Sequence, residues 1–194
     1  MKSISNRLAA ATAAVLFTAG CATNDPITEA NASSASASKI SRDSRAALQS
    51  LYAQNPGARA LGRKAKGVLV FPSVVKGGFI FGAQGGNGAM IRDTGRISGY
   101  YQTVSASYGF QAGLQEFGYA LFFMNDASFR NVDRSGGWEI GSSPNIVIVD
   151  KGVAGNLSTT TADKNTYAIF FNQRGLMGGV SLEGTKVTRI HPKE

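Results

Sequence analysis

From residue 67 to the end, apolar and polar positions alternate in short runs broken by glycine; ahead of them, two stretches repeat at helical spacing. Ile40, Ala47, Leu48 and Leu51 fall on one stripe, with Arg42, Arg45 and Gln49 off it, which predicts an amphipathic helix over residues 39–52. Asn55-Pro56-Gly57 ends that helix. Asn55 is suited to cap a second one, with Pro56 at its first position. The second helix is expected to run to about Lys66, with Gly67 at its end. Leu61 and Ala65 mark its apolar side, while Arg59, Arg63 and Lys66, spaced i, i+4, i+7, share another.

Beyond Gly67 the expected strands are 68–71, 79–92, 97–107, 110–124, 145–150, 153–160, 166–172 and 176–189, with a short helix over 125–132. Pro72 is expected to stop the first of them. Tyr100, Val104 and Ala106 alternate with Thr103, Ser105 and Ser107, and Leu176, Val180 and Leu182 with Ser181, Glu183 and Thr185. Such alternation gives each strand one buried and one wetter face. Glycines inside the runs, among them Gly82, Gly85, Gly86 and Gly88, suit bulges in a strongly bent sheet. A weak repeat, Tyr119-Ala120-Leu121-Phe122-Phe123 against Tyr167-Ala168-Ile169-Phe170-Phe171, is either two related hairpins or coincidence among strand formers. The fold class is α+β: two N-terminal helices packed on a curved, largely antiparallel sheet or barrel-like core.

Composition agrees with that reading. The chain has 194 residues, 43% hydrophobic and 16% charged, with 24 glycines, enough for one core with many turns. A net charge of +8 points to anionic partners. Lys2 and Arg7 precede a short apolar run over 8–17, the pattern of a secretory signal. It ends in Thr18-Ala19-Gly20-Cys21, which resembles a bacterial lipobox, with Thr18 in place of the usual leucine. Residues 1–20 are then a signal peptide, and Cys21 is the lipid-attachment site, bearing diacylglycerol and an amide-linked palmitate-type chain. The other reading is ordinary cleavage nearby. Ala22 stands where an aspartate would mark inner-membrane retention, so the expected address is the periplasmic face of the outer membrane. Loss of residues 1–20 removes two cations and no acid, so +6 remains on the domain. Residues 21–38 form the lipidated cysteine and a polar tether, and 39–194 the domain.

Catalytic constellations are sparse. The one histidine, His191, lies beside Pro192 near the C-terminus, and the one cysteine is assigned to lipid, so no Cys–His pair, Ser–His–Asp set or metal cluster is expected. Residues 179–186 fit neither a nucleophile elbow nor a phosphate-binding loop. Glu116, Glu139, Asp150 and Glu183 are scattered acids. Neither an enzyme nor a cofactor is expected. Nucleic acid suits the charge but not an exported protein. Trp138, Phe79 and Phe81 are expected in the core.

Four stretches, in order, carry a resemblance. The first is residues 65–88 (AKGVLVFPSVVKGGFIFGAQGGNG), the second Tyr108-Gly109-Phe110-Gln111-Ala112-Gly113, and the third Gly136-Gly137-Trp138. The fourth is residues 175–184 (GLMGGVSLEG). From about Ser38 to the C-terminus the chain resembles the SYLF family, a lipid-binding module of eukaryotic trafficking proteins and bacterial lipoproteins. The resemblance implies binding of phospholipid head groups at a membrane surface. Some eukaryotic relatives also bind actin, which is not carried over to an exported protein. Eukaryotic relatives use an amphipathic N-terminal helix and basic residues, which here correspond to Lys39, Arg42, Arg45, Arg59, Arg63, Lys64, Lys66 and Lys76. The expected ligands are anionic lipids such as phosphatidylglycerol and cardiolipin, or a phosphoinositide-like head group. The plain reading of the Arg59 face is a solvated helix surface. The rival function is a cell-envelope scaffold or stress protein that binds another protein.

Overall fold

A computed structural model describes residues 35–78, 81–108, 113–132, 137–140, 146–149, 165–175, 182 and 184–194. The signal, Cys21 and the expected strand 153–160 lie outside them. So do Phe79 and most of the alternating run 176–183.

Helix α1 spans Ala37–Gln54. The Ser36 hydroxyl accepts from the Lys39 amide at 3.3 Å and opens it. Its buried stripe is Ile40, Ser44, Leu48 and Leu51, with Ala47 half-buried beside it. Ser44 is the surprise. Its hydroxyl donates to the Val70 carbonyl at 3.3 Å, so a polar group fits the helix–sheet seam because it is partnered. Asn55 caps α2, Pro56–Lys64, its Oδ1 accepting from the Ala58 amide at 3.0 Å, as the sequence led us to expect. The helix stops earlier than expected. Ala65 is already extended, and the Lys66 amide donates to the Phe123 carbonyl at 2.8 Å. Gly67 therefore begins a strand instead of ending the helix.

The strands are β1 (Gly67–Gly78), β2 (Phe81–Arg92), β3 (Ile97–Tyr108), β4 (Gly113–Phe123), β5 (Trp138–Glu139), β6 (Ile146–Val149), β7 (Thr166–Gly175) and β8 (Thr185–Ile190), with helix α3 (Asp126–Asn131) after β4. Their order is β5-β8-β3-β2-β1-β4-β7-β6, in a curled half-barrel. Every pairing is antiparallel except the parallel β6–β7. The α+β expectation holds. The two copies of the weak repeat lie side by side on β4 and β7, Tyr119 opposite Phe170 and Phe122 opposite Tyr167.

Pro72 does not stop β1. The register slips by one residue on both sides of it, between Val70 and Val75 toward β2 and between Phe71 and Val74 toward β4. A bulge absorbs the missing N–H of a proline in a central strand. It pushes backbone toward β2, where a Cβ on Gly86 would lie 2.4 Å from the Ser73 carbonyl oxygen. Only glycine fits there.

Leu48, Leu51, Leu61, Val68, Val70, Phe122 and Ile169 form the core between helices and sheet. Leu69, Phe71, Phe117, Tyr119, Phe123, Trp138 and Val187 form the core on the other face. The expected alternation in β3 is reversed over its second half. Thr103 and Ser105 are buried, Val104 is half-buried and Ala106 exposed. Thr103 is tolerated inside because its hydroxyl accepts from Tyr119 Oη at 2.6 Å. The start and end of the domain are clasped together, the Ala37 amide donating to the Lys193 carbonyl at 2.8 Å.

Candidate functional site: an arginine-rimmed groove

Helix α2 crosses the start of the sheet and leaves a groove of about 850 Å³ between α1, α2 and the β2–β3 turn. Leu48 of α1, Val68 of β1 and Ile91 of β2 supply an apolar floor. Arg59 and Arg63, one turn apart on α2 and both exposed, line the groove, as does exposed Arg92 at the end of β2. The Arg92 guanidinium carbon lies 4.3 Å from the centroid of the Phe129 ring. Phe129 packs against the core of the far face, so the Arg92 guanidinium is held on the side of the sheet away from the helices, and Arg92 borders the groove without aiming its charge into it. Asp93 and Gly95, in the turn, complete the rim.

The groove depends on how closely the two helices meet. A Cβ on Gly62 would fall 2.0 Å from Tyr52 Oη, so α2 presents bare backbone to the tyrosine. Tyr52 lines the groove, its ring 6.5 Å from that of Phe122, and burial pushes its phenol above the ordinary value. It therefore stays neutral. On the α1 side, Arg45 Nη1 donates to the Gly95 carbonyl at 2.7 Å and ties the helix to the turn.

The eight basic residues singled out in the sequence separate into groups. Arg59 and Arg63 share the groove. Arg45 serves the turn beside it. Lys39 pairs with Asp43, and Arg42 Nε lies 3.8 Å from the same carboxylate, so these two sit on the exposed side of α1. Lys64 and Lys66 are exposed but do not line the groove. Lys66 leaves the Arg59 face because the helix ends at Lys64, which breaks the i+7 relation. Lys76 does not join the cluster. It lies near the far end of β1, on the sheet face away from the helices, and is buried. The apolar stripe of α1 is packed on the sheet, so only its polar side faces outward. Arg92 and Asp93 were missed, since a hairpin turn brings them to the groove and no helical spacing foretells that.

Guanidinium groups at the rim can grip a phosphate or carboxylate with paired N–H donors, while the floor accepts apolar carbon. Among the described residues, no group of three His, Cys, Asp or Glu side chains is placed to hold a metal ion. No helix among them is long and apolar enough to cross a membrane.

The sequence profile of the Ysc84 family, described as Las17-binding protein actin regulator, matches residues 104–191. Over those residues the chain matches the SYLF (Ysc84) domain model, consistent with a SYLF-domain family. The family is associated with lipid binding and with actin-regulating roles. The match covers the second half of β3 through β8, whereas the groove arginines lie ahead of it. No curated protein matches the chain.

Proposed function

We propose that this chain binds anionic phospholipid head groups at a membrane surface through the Arg59–Arg63 groove. Acylation of Cys21 holds it at the periplasmic face of the outer membrane. The observation that carries the reading is two exposed arginines, Arg59 and Arg63, one turn apart on a groove with an apolar floor and one carboxylate, Asp93, on its rim. Head-group phosphate meets the guanidinium groups, and the glycerol and first acyl carbons meet Leu48, Val68 and Ile91. Flotation of residues 22–194, which lack the acyl site, on phosphatidylcholine vesicles with increasing phosphatidylglycerol tests it. Binding should rise with anionic content and fall with salt. Binding indifferent to lipid charge would sink the reading.

A second reading rests on the family description, which names a protein partner. In that case the chain is an envelope scaffold and the groove receives an acidic protein segment. Vesicle binding would then be absent at every lipid composition.

A further inference from the structure

Five polar side chains occupy one register line across five neighbouring strands. Thr185 of β8 pairs with Ser105 of β3, Ser105 with Gln84 of β2, Gln84 with Lys76 of β1, and Lys76 with Gln115 of β4. All five are buried. They lie on the face away from the helices, because Val74 and Phe117, two positions along β1 and β4, belong to that core. Gln84 Nε2 donates to Thr185 Oγ1 at 3.3 Å across the intervening strand.

This row is not satisfied internally. Gln115 Oε1 is buried and has no hydrogen-bond partner. Lys76 is 9% exposed, and among the described residues no carboxylate lies within 4.0 Å of its ammonium. Glu116 is the nearby acid in sequence on β4, but it is exposed and accepts from Ser73 Oγ at 2.7 Å. A secluded amide oxygen without a donor is costly.

We propose that this row is a second anion site, specific for a phosphate group that carries a hydroxyl. Lys76 supplies the counter-charge. The Ser105 and Thr185 hydroxyls and the glutamine amides supply donors. Gln115 Oε1 accepts from the hydroxyl, either the P–OH of a phosphomonoester or an alcohol of a glycerol phosphate. The site is independent of the arginine groove, on the opposite face of the sheet.

The test is thermal unfolding of the full chain in sodium phosphate or glycerol phosphate against sodium chloride at matched ionic strength, and with phosphatidylglycerol vesicles. The wild type should gain at least about 2 °C. Lys76→Met and, separately, Gln115→Leu should lose that gain, while Arg59→Glu with Arg63→Glu should keep it. A gain with soluble phosphates assigns a free phosphate compound. A gain with vesicles alone, lost in Lys76→Met, assigns a lipid head group. No gain in either medium, a gain retained in both row variants, or a gain lost only with the arginines overturns the proposal. The last result would leave the groove reading standing.

Discussion

Reversing Arg59 and Arg63 to glutamate is the sharpest test of the groove. Each cation close to an anionic membrane contributes about 1 kcal/mol, and each anion opposes binding similarly. Two reversals therefore change the raw attraction by about 4 kcal/mol. Both side chains are exposed, so salt screens them over about 8 Å and the terms do not add fully. We expect at least a tenfold loss of vesicle affinity, about 1.4 kcal/mol. Neither arginine has an ion-pair partner among the described residues, so the fold should survive and like-charge repulsion along α2 should ease. Asp93→Asn works in the opposite direction. It removes the acid on the same rim and should tighten binding about fivefold, roughly 1 kcal/mol. Co-flotation at two salt concentrations, with circular dichroism to check folding, measures all three proteins. The wild type should lose more affinity to added salt than the double variant. A folded double variant that binds as tightly as wild type refutes the argument and makes the Arg59 face a solvated surface.

Other expectations follow from single contacts. Gly62→Ala places a methyl where the end of the Tyr52 side chain lies, so vesicle binding should weaken as the ring swings aside, while stability in urea unfolding should change by less than about 1 kcal/mol because alanine favours the helix. Tyr119→Phe removes the donor to buried Thr103 and should cost about 1–3 kcal/mol. Burial drives the Tyr119 phenol far above its ordinary value near 10, with the Thr103 hydrogen bond opposing the shift. The neutral form is thus favoured in the folded state. That contribution is complete below pH about 10 and is lost progressively above it, so Tyr119→Phe should flatten the alkaline fall in stability. Cys21→Ser should abolish acyl labelling in cells, and normal labelling of that variant would remove the lipoprotein assignment.

The helices were legible because their signals are local. Asn55-Pro56 both ends one helix and starts the next, and the periodic leucines mark which side is buried. Pro72 and the second half of β3 were not, because tertiary partners decide them. A bulge toward Gly86 rescues the proline, and Tyr119 makes Thr103 acceptable inside, neither of which adjoins its partner in sequence. The same distinction divides the site. Arg59 and Arg63 share a groove through helical spacing alone, whereas Arg92 and Asp93 arrive by way of a hairpin. Lys76 was close to the arginines in sequence, but an extended strand carries it away about 3.3 Å per residue and to the other face.

The clasp between Ala37 and Lys193 fixes an order of assembly. A chain that emerges from its N-terminus presents α1, α2 and β1 to β4 first; β1, β2 and β3 pair in sequence order, and β4 returns to β1. β8 comes last, yet it covers β3, is the described pairing partner of β5 and lies just ahead of the carbonyl that holds the first turn of α1. Closing loops of that length is slow compared with forming the meander. Until the final residues arrive, β3 is an open sheet edge able to pair with another chain. A nascent or C-terminally truncated molecule should therefore be the aggregation-prone species, held in check only by how quickly its last ten residues are delivered.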